Sequence, residues 1–511
     1  MHAYFGVTMT CHLYGANAKR IQSYIFTTNK LKEIGGASEL VQAICTDCFD
    51  DFVKRHNLTG SVQPIIQAAG NIYAVVTDEE AVKILVLRFL REAMEFAPGL
   101  PMVQAVIPID GAMPTKTEVD KLNQKLHEAQ PASSPYKDWS VTLKTPQDGR
   151  PACGVQKEGR DRGKLLNPES QAKLKYDPKH TKSLRSKFSY CRFPEDNSQL
   201  GDPENEIAVI HADGNAIGQA LMRLDSGDPA KYGEKWQCFS QTLEEVTKQA
   251  ANEAFQKYFS REKGPHSEEE PAPHFRPIIL GGDDLTVLCS AKHALEFTAE
   301  YLELFKKKVD EANSDKAHPD ILGNLTACAG VAFIKANYPF HYGVQFAEQL
   351  CGQAKKVAKQ NLAAGAPVPS CLMFARELGS FVETSFEAFA KRELQTGEVT
   401  QEFGPYALSD NEKMPIIGDL LNLARLLASK PGSPLRNGLR HILKELHVDK
   451  AAADFLADRM EEVAAEDAMA KLKNALVPLT RHKSEEQLRK LLYQEKKSPI
   501  ADALLATKFV E

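Results

Sequence analysis

The chain has 511 residues, with 63 Lys+Arg against 68 Asp+Glu and a formal net charge of −5. That length implies three or four domains, each able to bury its own core. The near-balanced charge excludes a generally basic nucleic-acid coat, so any nucleic acid must be met by a local patch.

Ten unevenly spaced cysteines form no disulfide framework. No run of about 18 uncharged apolar residues suggests a membrane span, and MHAYFGVTMTCHLYG lacks the parts of a secretory signal. The expected compartment is the cytoplasm. In chain order, 3–13 reads as a strand and 17–56 as a long helical region. Residues 62–77, VQPIIQAAGNIYAVVT, read as a hairpin turning at Ala68–Asn71, because Gly beside Asn supplies the positive φ of a tight turn. A helix over 79–97 and a strand over 101–108 follow. This strand–helix–strand–strand–helix–strand order is the ferredoxin-like pattern.

The stretch 111–204 interrupts it. A helix is expected over Thr115–Ala129, then polar sequence with little periodicity. Gly154–Phe188 holds ten Lys/Arg and four Asp/Glu, a local net of +6. Such a run is either a solvated insertion or a phosphate-backbone contact surface for RNA. The pattern then returns: strand 205–212, helical region 214–260, hairpin 275–290 (FRPIILGGDDLTVLCS), helix 291–313 and strand 324–334, with a further helix at 341–361. The two turns lie 213 residues apart, an internal repeat. Beyond 400 the periodicity is helical over 415–430, 433–447, 450–478 and 484–507, with Ser433-Pro434 as N-cap and first turn. The fold class is therefore α+β, with two ferredoxin-like domains (1–110 and 205–400), an insert (111–204) and a C-terminal helical bundle (401–511).

The chemistry concentrates in the second copy. Gly281-Gly282-Asp283-Asp284 forms a hairpin tip, and Asp213 ends a strand rich in apolar residues (Ile207–Ile210). In a ferredoxin-like sheet the first strand lies beside this hairpin, so three carboxylates separated by 70 residues can converge. Asp is also common in ordinary turns, but a convergent trio repels itself unless a cation is held there. Hard oxygen ligands suit two Mg²⁺ or Mn²⁺ ions carrying a triphosphate, and glycines let backbone approach phosphate. The first copy has Ala68-Ala69-Gly70-Asn71 at its turn and no Asp before Asp47. It keeps the shape without the ligands, which suits a role in covering the other domain's site.

At these residues the sequence resembles the large subunit of type III CRISPR–Cas effector complexes, the GGDD or CRISPR-polymerase family. RIQSYIFTTNKLKEIGGASELV (20–41) is similar to the start of that family's first palm. Asp213–Gly218, Gly281–Asp284 and KANYPFHYGVQFAEQLCGQAKKVAK (335–359) are similar to its second. The resemblance spans about four fifths of the chain and implies two palm domains of the nucleotidyl-cyclase-like kind. It implies a nucleotidyltransferase that links ATP into cyclic oligoadenylates when target RNA is bound, within a guide-RNA complex of backbone and small subunits. It places Asp213, Asp283 and Asp284 on the metals and Lys355 on the triphosphate. Gly214, Asn215, Gly281 and Gly282 fall to the nucleotide, and Ser38 and Ser240 either touch base or ribose or serve as ordinary caps.

The chain contains no His-Asp dipeptide, so the histidine–aspartate nuclease of larger members is not expected. Cys153 and Cys191, even with His180, fall short of a four-ligand zinc site. Cys45 and Cys48 read as buried helix residues. Two other readings stay open: an idle structural, RNA-binding subunit, or a stand-alone cyclic-dinucleotide synthase.

Overall fold

The computed structural model describes residues 11–131, 141–157, 161–176, 183–188, 192–201, 205–225, 228–260, 273–316, 318–360, 362, 366–377, 379, 385–409, 411, 413–482 and 486–510. Its first sheet has the strand order 62–68, 71–76, 11–18, 102–109, antiparallel throughout. The second repeats that order with 275–281, 284–290, 206–215 and 326–335, and adds 371–376 and 406–407 beyond the last. Strand 371–376 runs parallel to 326–335. Both sheets thus have the ferredoxin-like topology that the repeat implies.

The first strand is Cys11–Ala18 rather than 3–13, and residues 1–10 lie outside the described residues. The helical region expected over 17–56 is three helices, Ile21–Ile25, Leu31–Cys45 and Asp47–Arg55. The first break falls at Thr27-Thr28-Asn29, whose short polar side chains bond locally: Thr27 Oγ1 donates to Tyr24 O, and Lys30 N donates to Thr28 Oγ1. Such residues offer the backbone an alternative to helix. In the second copy Ala216 adopts φ 68°, separating the strand from helices Ile217–Leu224 and Tyr232–Tyr258.

Side chains alternate across each strand. In the second palm Ala208, Ile210 and Ala212 pack under helices Tyr232–Tyr258 and Ala294–Asn313, while Ile207 and Val209 face helix Phe340–Lys359. Asp213 shares the parity of Ile207 and Val209, and so lies on the face bearing helix Phe340–Lys359.

The two palms interlock reciprocally. Helix Leu31–Cys45 of the first packs on edge strand 275–281 of the second, and helix Tyr232–Tyr258 of the second packs on edge strand 62–68 of the first. Arg276, 3% exposed, lies over helix residue Gly35, where an added Cβ would come 1.5 Å from a guanidinium nitrogen.

The insert is tied into this junction. Helix Pro168–Lys175 packs on helix Leu31–Cys45, and Lys173, 1% exposed, donates to Tyr24 O (2.5 Å), Thr27 Oγ1 (2.8 Å) and Glu169 (2.6 Å). Lys187 reaches Glu244 at 2.7 Å and Leu280 O at 3.0 Å. Lys173 and Lys187 of the basic run therefore point inward and meet protein. The C-terminal helices run 417–428, 433–446, 450–463, 466–480, 488–491 and 500–506. Gly432, not Ser433, occupies the N-cap of the second. Phe509 stacks on Phe333 of the second sheet with ring centroids 4.1 Å apart.

Candidate functional site

The acids converge where the topology places them. Strand 206–215 pairs with strand 284–290 through Ala212 opposite Leu285, so Asp213 and Asp284 are the next positions along. Gly281 pairs with Asp284 across a two-residue turn, and Gly282 holds φ 62°. A positive φ at the first central residue is the requirement of the tight hairpin turn that glycine meets without strain. Each of Asp213, Asp283 and Asp284 offers a carboxylate oxygen within 4.8 Å of the others.

Gly214 makes the approach possible. Its N–H donates to Asp283 Oδ2 at 3.2 Å, and an added Cβ would meet Asp283 at 2.8 Å. Lys355 reaches in from helix Phe340–Lys359, with Nζ 2.5 Å from Asp213 Oδ2 and 2.7 Å from Gly214 O. One ammonium thus faces three carboxylates. Burial, then the charge of Asp213, pushes Asp283 up to about 6. Crowding by the protein around its carboxylate, then Asp283 and Asp213, pushes Asp284 up to about 7. Burial also pushes His211 down to about 4, which keeps it neutral, with Nδ1 3.1 Å from Thr286 Oγ1.

The donor set is all hard carboxylate oxygen, crowded enough that Asp283 and Asp284 hold their protons more tightly than ordinary aspartates do. Divalent Mg²⁺ or Mn²⁺ at Asp213, Asp283 and Asp284 fits these residues: it is the ligand type such ions take, and it offsets the repulsion.

A cavity of 350 Å³ opens beside the acids at the junction of the palms. One wall carries Ile278–Gly281 and Asp284 from the second palm. The other carries residues 18–23, Ile25, Ser38 and Ala69 from the first. Ser38 lines this cavity, but its hydroxyl donates to Ile278 O and pins the two palms together. It is neither a solvated serine nor a cap. Ser240 lies apart from the acids, on a 410 Å³ cavity between helix Tyr232–Tyr258 and strand residues 64–68 of the first palm. That cavity is the pseudo-symmetric counterpart of the first. Asn215, 1% exposed, turns its amide into the sheet, donating to Thr326 Oγ1 at 3.0 Å. In this arrangement its side chain serves strand pairing.

The first palm shows what stands where the second has acids. Asn17 pairs with Asn71, at the positions equivalent to Asp213 and Asp284. Asn17 Nδ2 donates to Tyr73 Oη at 3.3 Å, and that hydroxyl donates to Asn123 at 2.8 Å. Asn123 comes from the helix equivalent to the one bearing Lys355. A neutral relay of amides and a phenol therefore stands in place of the charged cluster. Sequence reasoning saw that acids were missing but not that amides held their places; aligning the strands by hairpin register, not by turn alone, would have found it.

Among further site residues, Gln22 Nε2 donates to Glu348 across the palm junction. Glu348 sits seven residues before Lys355 on the same helix face, a spacing that sequence carried but that singles out nothing on its own. Cys45 is fully buried, and its thiol is pushed up by that burial. Cys153 is exposed, while Cys191 and His180 lie outside the described residues.

Fold and site together define a palm domain with an acidic hairpin tip. Residues 206–364 match the family model described as Cas10/Cmr2, second palm domain. The second palm is thus similar to that family's second palm domain, and the chain as a whole shares its fold with the subcomplex described next. Among solved structures, the chain is similar to a Csm1–Csm4 subcomplex of the type III-A CRISPR–Csm interference complex, with TM-score 0.50 and 16% identity over 99% of this chain and 72% of that one. It is also similar to Csm1–Csm4 cassettes in complex with cA3 (TM-score 0.49, 14% identity, 99% and 71%) and with cA4 (0.48, 14%, 98% and 70%). No curated protein matches the chain. No helix among the described residues is long and apolar enough to cross a membrane.

Proposed function

We propose that this chain is a metal-dependent nucleotidyltransferase that converts ATP to cyclic oligoadenylates, acting as the large subunit of a type III CRISPR RNA-guided complex switched on by target RNA. The observation that carries this reading is the convergence of Asp213, Asp283 and Asp284 within 4.8 Å in the palm that matches the family, with amides at the equivalent places in the other. Membership of a complex is supported by the shared fold with a Csm1–Csm4 subcomplex.

In the reaction a ribose 3′-oxygen bonds to the α-phosphorus of a second ATP, the α–β bridging bond breaks, and pyrophosphate leaves. Divalent ions held by the three carboxylates supply charge neutralisation at the phosphates and a lowered pKa at the attacking hydroxyl. Gly214, Gly281 and Gly282 present bare backbone on which phosphate can lie. Lys355, released from Asp213 as the site fills, turns its ammonium to the triphosphate. The first palm closes the cavity from the other side, so that the nucleotide is oriented and water is excluded.

Incubation of the purified protein, alone and in its guide-RNA complex with target RNA, with ATP and Mn²⁺ or Mg²⁺ tests the reading. Pyrophosphate and a cyclic adenylate identified by mass are expected. Their absence in every arm sinks it.

A further inference from the structure

The cavity between the palms carries two basic side chains that the site described so far leaves unused. Lys19 and Arg20 follow directly on the first strand of the first palm and line the cavity opposite Gly281 and Asp284. Neither makes an ion pair among the described residues. Their backbone is fixed on both sides. Ala18 N donates to Gly70 O at 2.8 Å and Lys19 N to Pro101 O at 2.7 Å, while Arg20 O accepts from Tyr24 N at 3.0 Å. The pair is therefore held at the cavity by the sheet and the following helical turn, with its side chains unspent.

The second palm's own charge explains what they are for. It presents three carboxylates and one ammonium, and that ammonium is paired with Asp213. With divalent ions at the acids, the second palm still neutralises only part of a triphosphate's charge. Cations on the opposite wall correct that imbalance, and a guanidinium adds directed hydrogen bonds to phosphate oxygens.

We propose that Lys19 and Arg20 bind the polyphosphate of a nucleoside triphosphate seated in this cavity, so that the palm without carboxylates supplies phosphate-binding cations to the palm that has them. The proposal rests on the nucleotidyl-transfer reading for the identity of the ligand. It assigns a binding role to residues that the motif reading passed over, since they lie just at the start of a segment whose apolar signature draws attention instead.

The test measures binding of ATP, ADP, AMP and adenosine to the full chain by calorimetry in Ca²⁺, with Lys19→Gln, Arg20→Gln and the double variant. Arg20 is exposed and Lys19 half-buried, so melting temperatures should be unchanged. The double variant should weaken ATP about 10- to 100-fold and ADP by less, while adenosine binds as before. Arg20→Lys should recover part of the loss. An equal loss for adenosine, or no loss for ATP, overturns the proposal. So does a single-stranded RNA whose affinity falls while that of ATP holds, because the cations then serve RNA. A wild-type chain that binds ATP through these residues yet never releases pyrophosphate leaves this proposal standing and removes the transfer reaction instead.

Discussion

Two crowded aspartates set the behaviour of the site at the scale of single residues. Asp283 and Asp284 rise from an ordinary 3.8 to about 6 and about 7. A carboxyl raised by folding binds its proton more tightly in the folded protein. Its stabilising contribution is present below pH 3.8 and is lost as pH climbs through 6 and 7. Without divalent ions the protein should therefore lose stability between about pH 4 and 7.5. Added Mn²⁺ should restore it, with a melting-temperature increase that grows with pH across that window. Asp283→Asn/Asp284→Asn should raise cation-free stability at pH 7.5 by about 1–3 kcal/mol and abolish the Mn²⁺ effect, both readable by thermal melts. Asp213→Ala should lower the rate of pyrophosphate release at least ~100-fold, about 2.7 kcal/mol, while leaving Lys355 its bond to Gly214 O but no carboxylate partner.

At the scale of elements, pattern and register were legible but partners were not. The apolar strand ending in Asp213, the glycine turn and the repeated order of elements all show in the sequence, because hairpin chemistry and period-two burial are local properties. Helix breaks at Thr27–Asn29 depend on side chains bonding nearby backbone, which the same residues could equally have left unmade. Lys173 belongs to a run that reads as solvated charge, yet its Nζ is buried against Tyr24 O, Thr27 and Glu169. Only the distant segment that receives it makes this so. Burial lowers its pKa while Glu169 opposes that shift. Lys173→Met should destabilise the protein by roughly 3 kcal/mol in denaturant melts, because Glu169 is left with a weaker set of partners. A neutral effect would show the insert to be loosely held. Gly35→Ala tests the same junction from the helix side: its methyl meets the Arg276 guanidinium, and a loss of about 1–3 kcal/mol is expected.

At the scale of the whole molecule, the two palms exchange helices across each other's edge strands, and the insert fills the seam through Lys173 and Lys187. Edge strands covered in this way cannot pair with other chains. Such an arrangement should unfold as one cooperative body, so calorimetry is expected to show the palms melting in a single transition. Two separated palm transitions would contradict the interlock. The two hairpin tips also touch: an added Cβ on Gly281 would stand 3.2 Å from the methyl of Ala69. Duplicated halves usually drift apart in sequence without regard for one another. Here they cannot, since enlarging the silent half's tip would push against the very loop that carries the acids. The copy without acids still limits what its twin can become.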